Sequence, residues 1–305
     1  MVLNPRHLNY CILSTLSFIL GCTITLFFLH SNTLKPNPAS VVGRTKYTVL
    51  VVVVSAVKNH DRRDAIRETW ARADQNVRVL FALSKDQSLY DEKLLYGDIV
   101  EVNVPDEYRL LSKKLLESLI LISSYNFQYL LKCDDDTFVD LPKVVGELEG
   151  MPKNKLYWGY FNGIANVKKF GKWKEDEWSL CDKYLPYALG GGYVLSNDLV
   201  TYIVNNRDYL SLFISEDVTV GAWLAPLNIT RKHDRRFDTE YLSRGCNNLH
   251  LVTHKRSPPL MRLYWSRIQN TGKMCEHEYR EANSYEYNWT VLPSKCCKRN
   301  PMLSP

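Results

Sequence analysis

The sequence predicts an α/β fold with a mainly parallel central sheet. Three observations point to it: apolar runs of strand length, helix-period segments between them, and a cluster of acids at the end of one run. "YTVLVVVVSAV", from Tyr47, is rich in β-branched residues and reads as a buried strand. "HDRRDAIRETWARA" follows, with acids placed early and an Ile66/Trp70 spacing that suits a helix. "VRVLFAL" and "DIVEVNV" read as two further strands. From Asp106 to Ser124 the residues Tyr108, Leu111, Leu115, Leu119 and Ile122 recur at gaps of three and four, which marks one apolar face of a helix. "FQYLLKC" is then the strand that delivers Asp134, Asp135 and Asp136. In sheets of this kind ligands gather at the carboxyl ends of the strands.

Ahead of this body, "YCILSTLSFILGCTITLFFL" (Tyr10 to Leu29) carries no charge and is long enough for a helix to span a bilayer. A cleaved signal peptide would need a shorter apolar region and a small-residue cleavage site, and neither is evident. The expected layout is a cytoplasmic tail over 1–9, a transmembrane signal anchor over 10–29, a stem over 30–45 and a lumenal domain over 46–305. The prolines of "KPNP" suit the stem. Flanking charge is not decisive, since Arg6 lies on one side and Lys35, Arg44 and Lys46 lie on the other. The sequons Asn228-Ile-Thr230 and Asn288-Trp-Thr290 favour a lumenal body, because they serve as glycosylation acceptors only there.

With 305 residues, 45% hydrophobic and 24% charged, the chain suits one large globular domain. Its net charge of +6 contains no basic block, which argues against a nucleic-acid arm and fits a pocket that receives anions. Cys133, Cys181, Cys246, Cys275, Cys296 and Cys297 lie beyond the anchor. An oxidising lumen would let several of them pair, in a connectivity that sequence leaves open. No CxxC pair is present, so neither a zinc knuckle nor a thioredoxin-type site is expected. Cys133, inside a strand, reads as a buried free thiol.

Three adjacent carboxylates repel one another and call for a positive partner. A solvated turn is the plainest alternative, but "YLLKC" before and "TFV" after look buried, where uncompensated charge is costly. A phosphatase-type nucleophile wants Asp-x-Asp-x-Thr, and Phe138 stands where that threonine should be. An EF-hand loop would need a glycine and a closing glutamate that are missing here. A hard divalent cation, Mg²⁺ or Mn²⁺, held by Asp134 and Asp136 and shared with a substrate diphosphate, meets the requirement.

Other segments carry two readings each. Arg62, Arg63 and Arg67 could meet phosphates or form a solvated helix face. Gly190, Gly191 and Gly192 permit close backbone approach to a ligand, or a tight turn. One of Glu216 and Asp217 could be a general base, or both could simply favour a helix N-terminus. Trp173 and Trp178 could stack on sugar rings or pack on the body.

Taken in order, "RRDAIRETW", "YLLKCDDDTFVD", "LPYALGGGYVLS", "SEDVTVGAWLA" and "VTHKRSPPLMRLYW" resemble the β-1,3-glycosyltransferases of the GT-A fold, family 31 of the glycosyltransferases. The likeness spans most of residues 46–266. Within the family, "LYWGYF", "KYLPYALGGGYVLSNDLV", "HDRRFDTEYLSRGCNN" and the closing "CC" are similar to members that add the second galactose of the proteoglycan linkage region.

The resemblance implies a GT-A nucleotide-sugar-binding fold in a single-pass type II protein of the Golgi membrane. It implies inverting transfer of galactose from UDP-galactose to the 3-hydroxyl of a β-galactosyl-xylose acceptor on a core protein. Mn²⁺ is the implied cofactor, with Mg²⁺ the alternative. Asp134 and Asp136 are assigned to the metal, with His254 of "VTHK" as a further ligand. Arg63, Arg67, Lys114, Asp134, Asp135, Gly191 and Gly192 are assigned to the sugar nucleotide, and Asp217 to the catalytic base. The family tends to carry a polar segment before its lysine where this chain reads "LLSKK", so Lys113 is the alternative to Lys114. Transfer of another UDP-sugar, such as UDP-N-acetylglucosamine, is the rival within enzymes. A lumenal glycan-binding protein without turnover is the rival outside them.

Overall fold

The computed structural model describes residues 15–23, 25, 46–72 and 76–303, in two units divided between Arg44 and Thr45. In the first unit, residues 15–23 and 25 are helical and exposed. The rest of the expected anchor, the tail and the stem lie outside the described residues. Among the described residues no helix is long and apolar enough to cross a membrane.

The second unit is built on a seven-stranded sheet of β1 (Lys46–Val54), β2 (Val77–Ser84), β3 (Ile99–Val102), β4 (Asn126–Asp134), β6 (Leu156–Asn162), β7 (Tyr187–Ser196) and β8 (Thr230–His233). Their spatial order is β3-β2-β1-β4-β7-β6-β8. Pairings β3–β2, β2–β1, β1–β4 and β6–β8 are parallel, so the fold is mixed α/β with a mostly parallel sheet. Val49 to Val53 are all buried, both odd and even positions. Both faces of β1 are therefore covered, which explains its unbroken apolar run.

The sheet changes direction at β7, which runs antiparallel to both β4 and β6. The carboxyl ends of β1 and β4 lie side by side, with Val54 opposite Asp134. Because β7 is reversed, its amino-terminal half reaches the same edge, with Gly192 opposite Cys133. One edge thus gathers the end of β1, the aspartates and the glycines.

The helices that matter for this edge are α1 (His60–Glu68), α2 (Tyr90–Tyr96), α3 (Leu111–Ile122) and α6 (Glu216–Leu224); α4 (Leu141–Glu149), α5 (Asn197–Asn205) and α7 (Pro258–Thr271) complete the set. The helix expected from Asp106 starts later: Tyr108–Leu110 is a 3₁₀ turn and α3 begins at Leu111. Asp106 is held outside the helix because its carboxylate accepts from Val57 N and from Lys114 Nζ, both at 2.9 Å. A small sheet of β5 (Phe138–Val139), β11 (Val252–Thr253) and β9 (Phe237–Asp238) packs beside the same edge. A separate two-stranded sheet pairs β10 (Gly245–Cys246) with β12 (Tyr279–Arg280).

Candidate active site

The small sheet brings a distant histidine to the aspartates. After Asp134 the chain turns, with Thr137 N donating to Asp134 O, and enters β5. β5 pairs antiparallel with β11, Phe138 opposite Thr253, so the residue after β11, His254, arrives beside Asp136. His254 N donates to Asp238 O at 3.0 Å, and Arg256 N donates to Asp136 O at 2.7 Å, which pins the loop on both sides. The ligand atoms of Asp134, Asp136 and His254 all lie within 4.8 Å of one another.

These residues fit a divalent cation. Two carboxylates and an imidazole are a donor set suited to Mn²⁺ or Mg²⁺. Asp136 Oδ1 is buried without a hydrogen-bond partner, since His254 Nε2, 2.9 Å away, lacks hydrogen-bond geometry toward it. A buried carboxylate oxygen left in this state is costly unless another group meets it. Without the cation, the imidazole itself answers the repulsion. Burial works against its charge, but Asp134 and Asp136 outweigh it and raise the His254 pKa to about 9.

A second cation sits beneath. Lys132, two residues before Asp134 on β4, is buried and donates to Asp134 Oδ1 (2.8 Å), Gly190 O (2.8 Å) and Glu216 Oε2 (2.7 Å). Burial disfavours the Asp134 carboxylate, yet Lys132 and His254 hold its pKa well below the ordinary range.

The opposite wall is α6, packed so closely on β7 that a Cβ at Gly221 would lie 2.4 Å from Tyr187 Cβ. This approach places Asp217 against β7, where Oδ2 accepts from Gly190 N and Oδ1 from Val218 N, each at 2.9 Å. Burial raises the Asp217 pKa above the usual aspartate value despite nearby Lys132. Glu216 differs from its neighbour in accepting from Lys132 and from the Tyr193 hydroxyl. Asp217 and the Asp134–Asp136–His254 cluster line one cleft of about 800 Å³.

Gly190 and Gly191 line the cleft, and Gly191 and Gly192 also serve the chain's own packing. A Cβ at Gly191 would fall 2.7 Å from His254 Cγ, and one at Gly192 2.7 Å from Val252 Cγ1. Gly191 O accepts from Thr137 Oγ1 at 2.8 Å. The close approach read from "GGG" is thus, at these two positions, an approach of the β11 loop to β7.

The arginines divide. Arg62 lines the cleft and bonds Asp135 Oδ1 at 2.7 Å. Asp135 lines the cleft with its neighbours and also accepts from Ser55 Oγ (2.7 Å) and Asn59 Nδ2 (2.8 Å), which ties β4 to the β1–α1 junction. Arg63 and Arg67, expected at the sugar nucleotide, do not line the cleft. Arg63 forms a fork on Glu92, at 2.7 and 2.6 Å, and donates to Ala56 O and Val57 O. Arg67 donates to Asp98 at 2.8 and 2.9 Å and to Glu92 at 2.7 Å. Both guanidiniums are buried and bonded to acids and carbonyls of the chain itself, away from the cleft lining. Lys114 does line the cleft, donating to Ser55 O at 2.7 Å beside its bond to Asp106.

Trp173 and Trp178 also part ways. Trp173 lines the cleft, edge-on to Tyr241 at 5.6 Å between ring centroids. Trp178 packs on Tyr184 and Phe213 and donates to Cys181 O. Both sequon asparagines, Asn228 and Asn288, are exposed. Disulfides join Cys246 to Cys275 and Cys296 to Cys297, while Cys133 is a buried thiol and Cys181 an exposed one.

Sequence reasoning passed over Lys132 and Asp238. Lys132 hides inside the apolar run, although a lysine in a buried strand two residues before an acid was a signal. Asp238, fully buried, accepts from Arg244 N, Ser243 Oγ, Thr253 Oγ1 and Arg256 Nη2, and so braces the loop that carries His254.

Comparison with known proteins agrees with this architecture. A family model described as Galactosyltransferase matches residues 61–235. The chain is 40% identical over 299 residues to β-1,3-galactosyltransferase 6 of Mus musculus, covering 91% of this chain and 92% of the mouse protein. It is 32% identical to hydroxyproline O-galactosyltransferase GALT5 of Arabidopsis thaliana, over 81% of this chain and 39% of that protein. UDP-GalNAc:β-1,3-N-acetylgalactosaminyltransferase 2 of Danio rerio is also 32% identical, over 66% of this chain and 41% of the fish protein. The chain belongs to the galactosyltransferase family, family 31 of the glycosyltransferases.

Proposed function

We propose that this chain transfers galactose from UDP-galactose, with inversion, to the 3-hydroxyl of a β-galactosyl-xylose acceptor in the proteoglycan linkage region. One arrangement carries the reading: a recessed carboxylate, Asp217, and an Asp-Asp-His cluster share a single cleft. Its similarity over nearly its whole length to a mouse β-1,3-galactosyltransferase supports the choice of sugar and linkage.

An inverting transfer needs a base on the face opposite the leaving group. Asp217 accepts the proton of the acceptor hydroxyl, its two oxygens already oriented by Gly190 N and Val218 N. Burial makes it a stronger base than a free aspartate, and Lys132 favours its charged form. Asp134, Asp136 and His254 would hold the cation, Mn²⁺ in this reading, which when bound neutralises charge developing on UDP. A diphosphate leaves without a protein acid. Trp173 and Tyr241 give the acceptor an aromatic wall. The proposed setting is the Golgi membrane, with the anchor over 10–29 and the body in the lumen. Exposed Asn228 and Asn288 and the Cys246–Cys275 disulfide support it.

The test uses the detergent-solubilised full chain, UDP-galactose and a galactosyl-β-xyloside, with Mn²⁺ or with EDTA. A β-1,3-linked product formed only with the metal is expected. Product from UDP-N-acetylglucosamine instead would reassign the donor. Glycan binding without any product would leave a lectin.

A further inference from the structure

Lys132 lines the cleft, yet the proposed transfer gives it no contact with a substrate. It sits inside an apolar strand and is only 2% exposed. Taking a charge out of water is costly, and a buried ion pair repays that cost poorly as stability. We infer that Lys132 is a positioning residue, whose ammonium holds the Asp-Asp-His cluster and the Asp217 carboxylate in fixed register with each other. The role assigned to Asp217 is that of the proposed transfer, on which this inference rests.

The donors are the first reason. An ammonium has three N–H bonds to give. Lys132 Nζ lies 2.8 Å from Asp134 Oδ1, 2.8 Å from Gly190 O and 2.7 Å from Glu216 Oε2. All three donors are spent on the chain, so none is left for a phosphate or a sugar hydroxyl. Whatever Lys132 does for the reaction, it does through those partners.

Each partner leads to a group the reaction needs. Lys132 and Asp134, two apart on β4, share one face of the strand. Asp134 gives Oδ1 to Lys132, and its other oxygen, Oδ2, is 3.5 Å from His254 Nε2. The lysine therefore sets the rotation of a cluster carboxylate. Gly190 carries the second link, because its O accepts from Lys132 while its N donates to Asp217 Oδ2 at 2.9 Å. Glycine has the widest choice of backbone angles, so aiming an N–H from this position needs an outside tie. The third link is Glu216, which precedes Asp217 in the first turn of α6. Its bond to Lys132 holds that turn against β4. One ammonium thus grips Asp217 from β7 and from its own helix.

Misplacing a reacting group by about 1 Å costs on the order of a hundredfold in rate. Loss of Lys132 should therefore appear in kcat and leave substrate binding little changed. The test compares the detergent-solubilised full chain with Lys132→Ala. Mn²⁺ affinity is read by electron paramagnetic resonance without substrates, and kcat and KM for UDP-galactose are read at saturating Mn²⁺. Added 1-propylammonium replaces the atoms removed, and 1-propanol is its neutral control. Because the alanine variant leaves two buried carboxylates without their cation, Lys132→Met/Glu216→Gln is measured beside it and stands in should the first fail to fold.

The expected result is a kcat about a hundredfold lower, a KM within about threefold of the parent, and Mn²⁺ affinity about tenfold weaker. Propylammonium, and not propanol, should restore part of kcat in Lys132→Ala. Four results would overturn the inference: parental kcat in either folded variant; a loss confined to KM, which would make Lys132 a binding group; unchanged Mn²⁺ affinity; or equal rescue by propanol, which would make it a space-filler. Should the parent itself form no product, the transfer reading falls, whereas Mn²⁺ affinity, read without turnover, still decides the link to the cluster.

Discussion

Two adjacent acids on α6 receive different chemistry from their surroundings. Glu216 is enclosed by Lys132 and Tyr193, so it is a fixed counter-charge. Both acids line the cleft, but Asp217 is held by backbone N–H groups and by no side chain, which leaves it able to take a proton. We expect Asp217→Asn to lower the transfer rate by about a thousandfold while UDP binding, measured by calorimetry, stays near that of the parent. Loss of UDP binding with transfer retained would defeat the assignment. The raised pKa of Asp217 also sets a sign. The base is ionised above its pKa, so the rate should fall as pH drops through a value higher than that of an ordinary aspartate, and Asp217→Asn should erase that limb. Residue type alone left Glu216 and Asp217 equal, and only the family resemblance chose Asp217. The choice depends on Lys132, whose reach across β7 is visible only in three dimensions.

At the scale of elements, α1 shows where sequence reading stopped. "RRDAIRETW" offers three arginines, and residue type alone suits all of them to phosphate. The partners of Arg63 and Arg67 are acids of α2 and of the entry to β3, a network that fastens α1 to its neighbours. Burial opposes the Glu92 charge, but Arg63 and Arg67 outweigh it and lower its pKa to about 2. A depressed carboxylate pKa contributes stability that is present above the unfolded value and lost as pH falls through the folded one. Thermal melts of the parent should therefore lose this contribution between about pH 4.5 and pH 2. Glu92→Gln should cost about 3 kcal/mol near neutrality and weaken that dependence. An unchanged melting profile would mean the network is ornamental. On β7 the prediction concerns space. Gly191→Ala puts a methyl into the His254 ring, so Mn²⁺ affinity should fall at least tenfold with little change in far-ultraviolet circular dichroism.

For the molecule as a whole, the parallel half of the sheet was legible because buried strands write themselves as continuous β-branched runs. The reversal at β7 was not, since antiparallel pairing of an apolar strand leaves no mark of direction in its own residues. His254 was assigned from family likeness; periodicity alone says nothing of a pairing between β5 and β11. If the Asp-Asp-His cluster binds a cation only when folded, Mn²⁺ should raise the unfolding temperature of the full chain, and EDTA should reverse the rise. A melting curve indifferent to Mn²⁺ would remove the metal from the proposal.

The span of this cluster has a consequence for biosynthesis. Asp134 and Asp136 emerge from the ribosome well before His254, and the intervening chain must form β6 to β9 and return before the three can meet. A nascent or truncated chain ending before β11 lacks His254 and so lacks the complete Asp-Asp-His cluster. If the cluster takes a cation as proposed, capture would be a late event and would discriminate finished molecules from those whose amino-terminal half alone has folded.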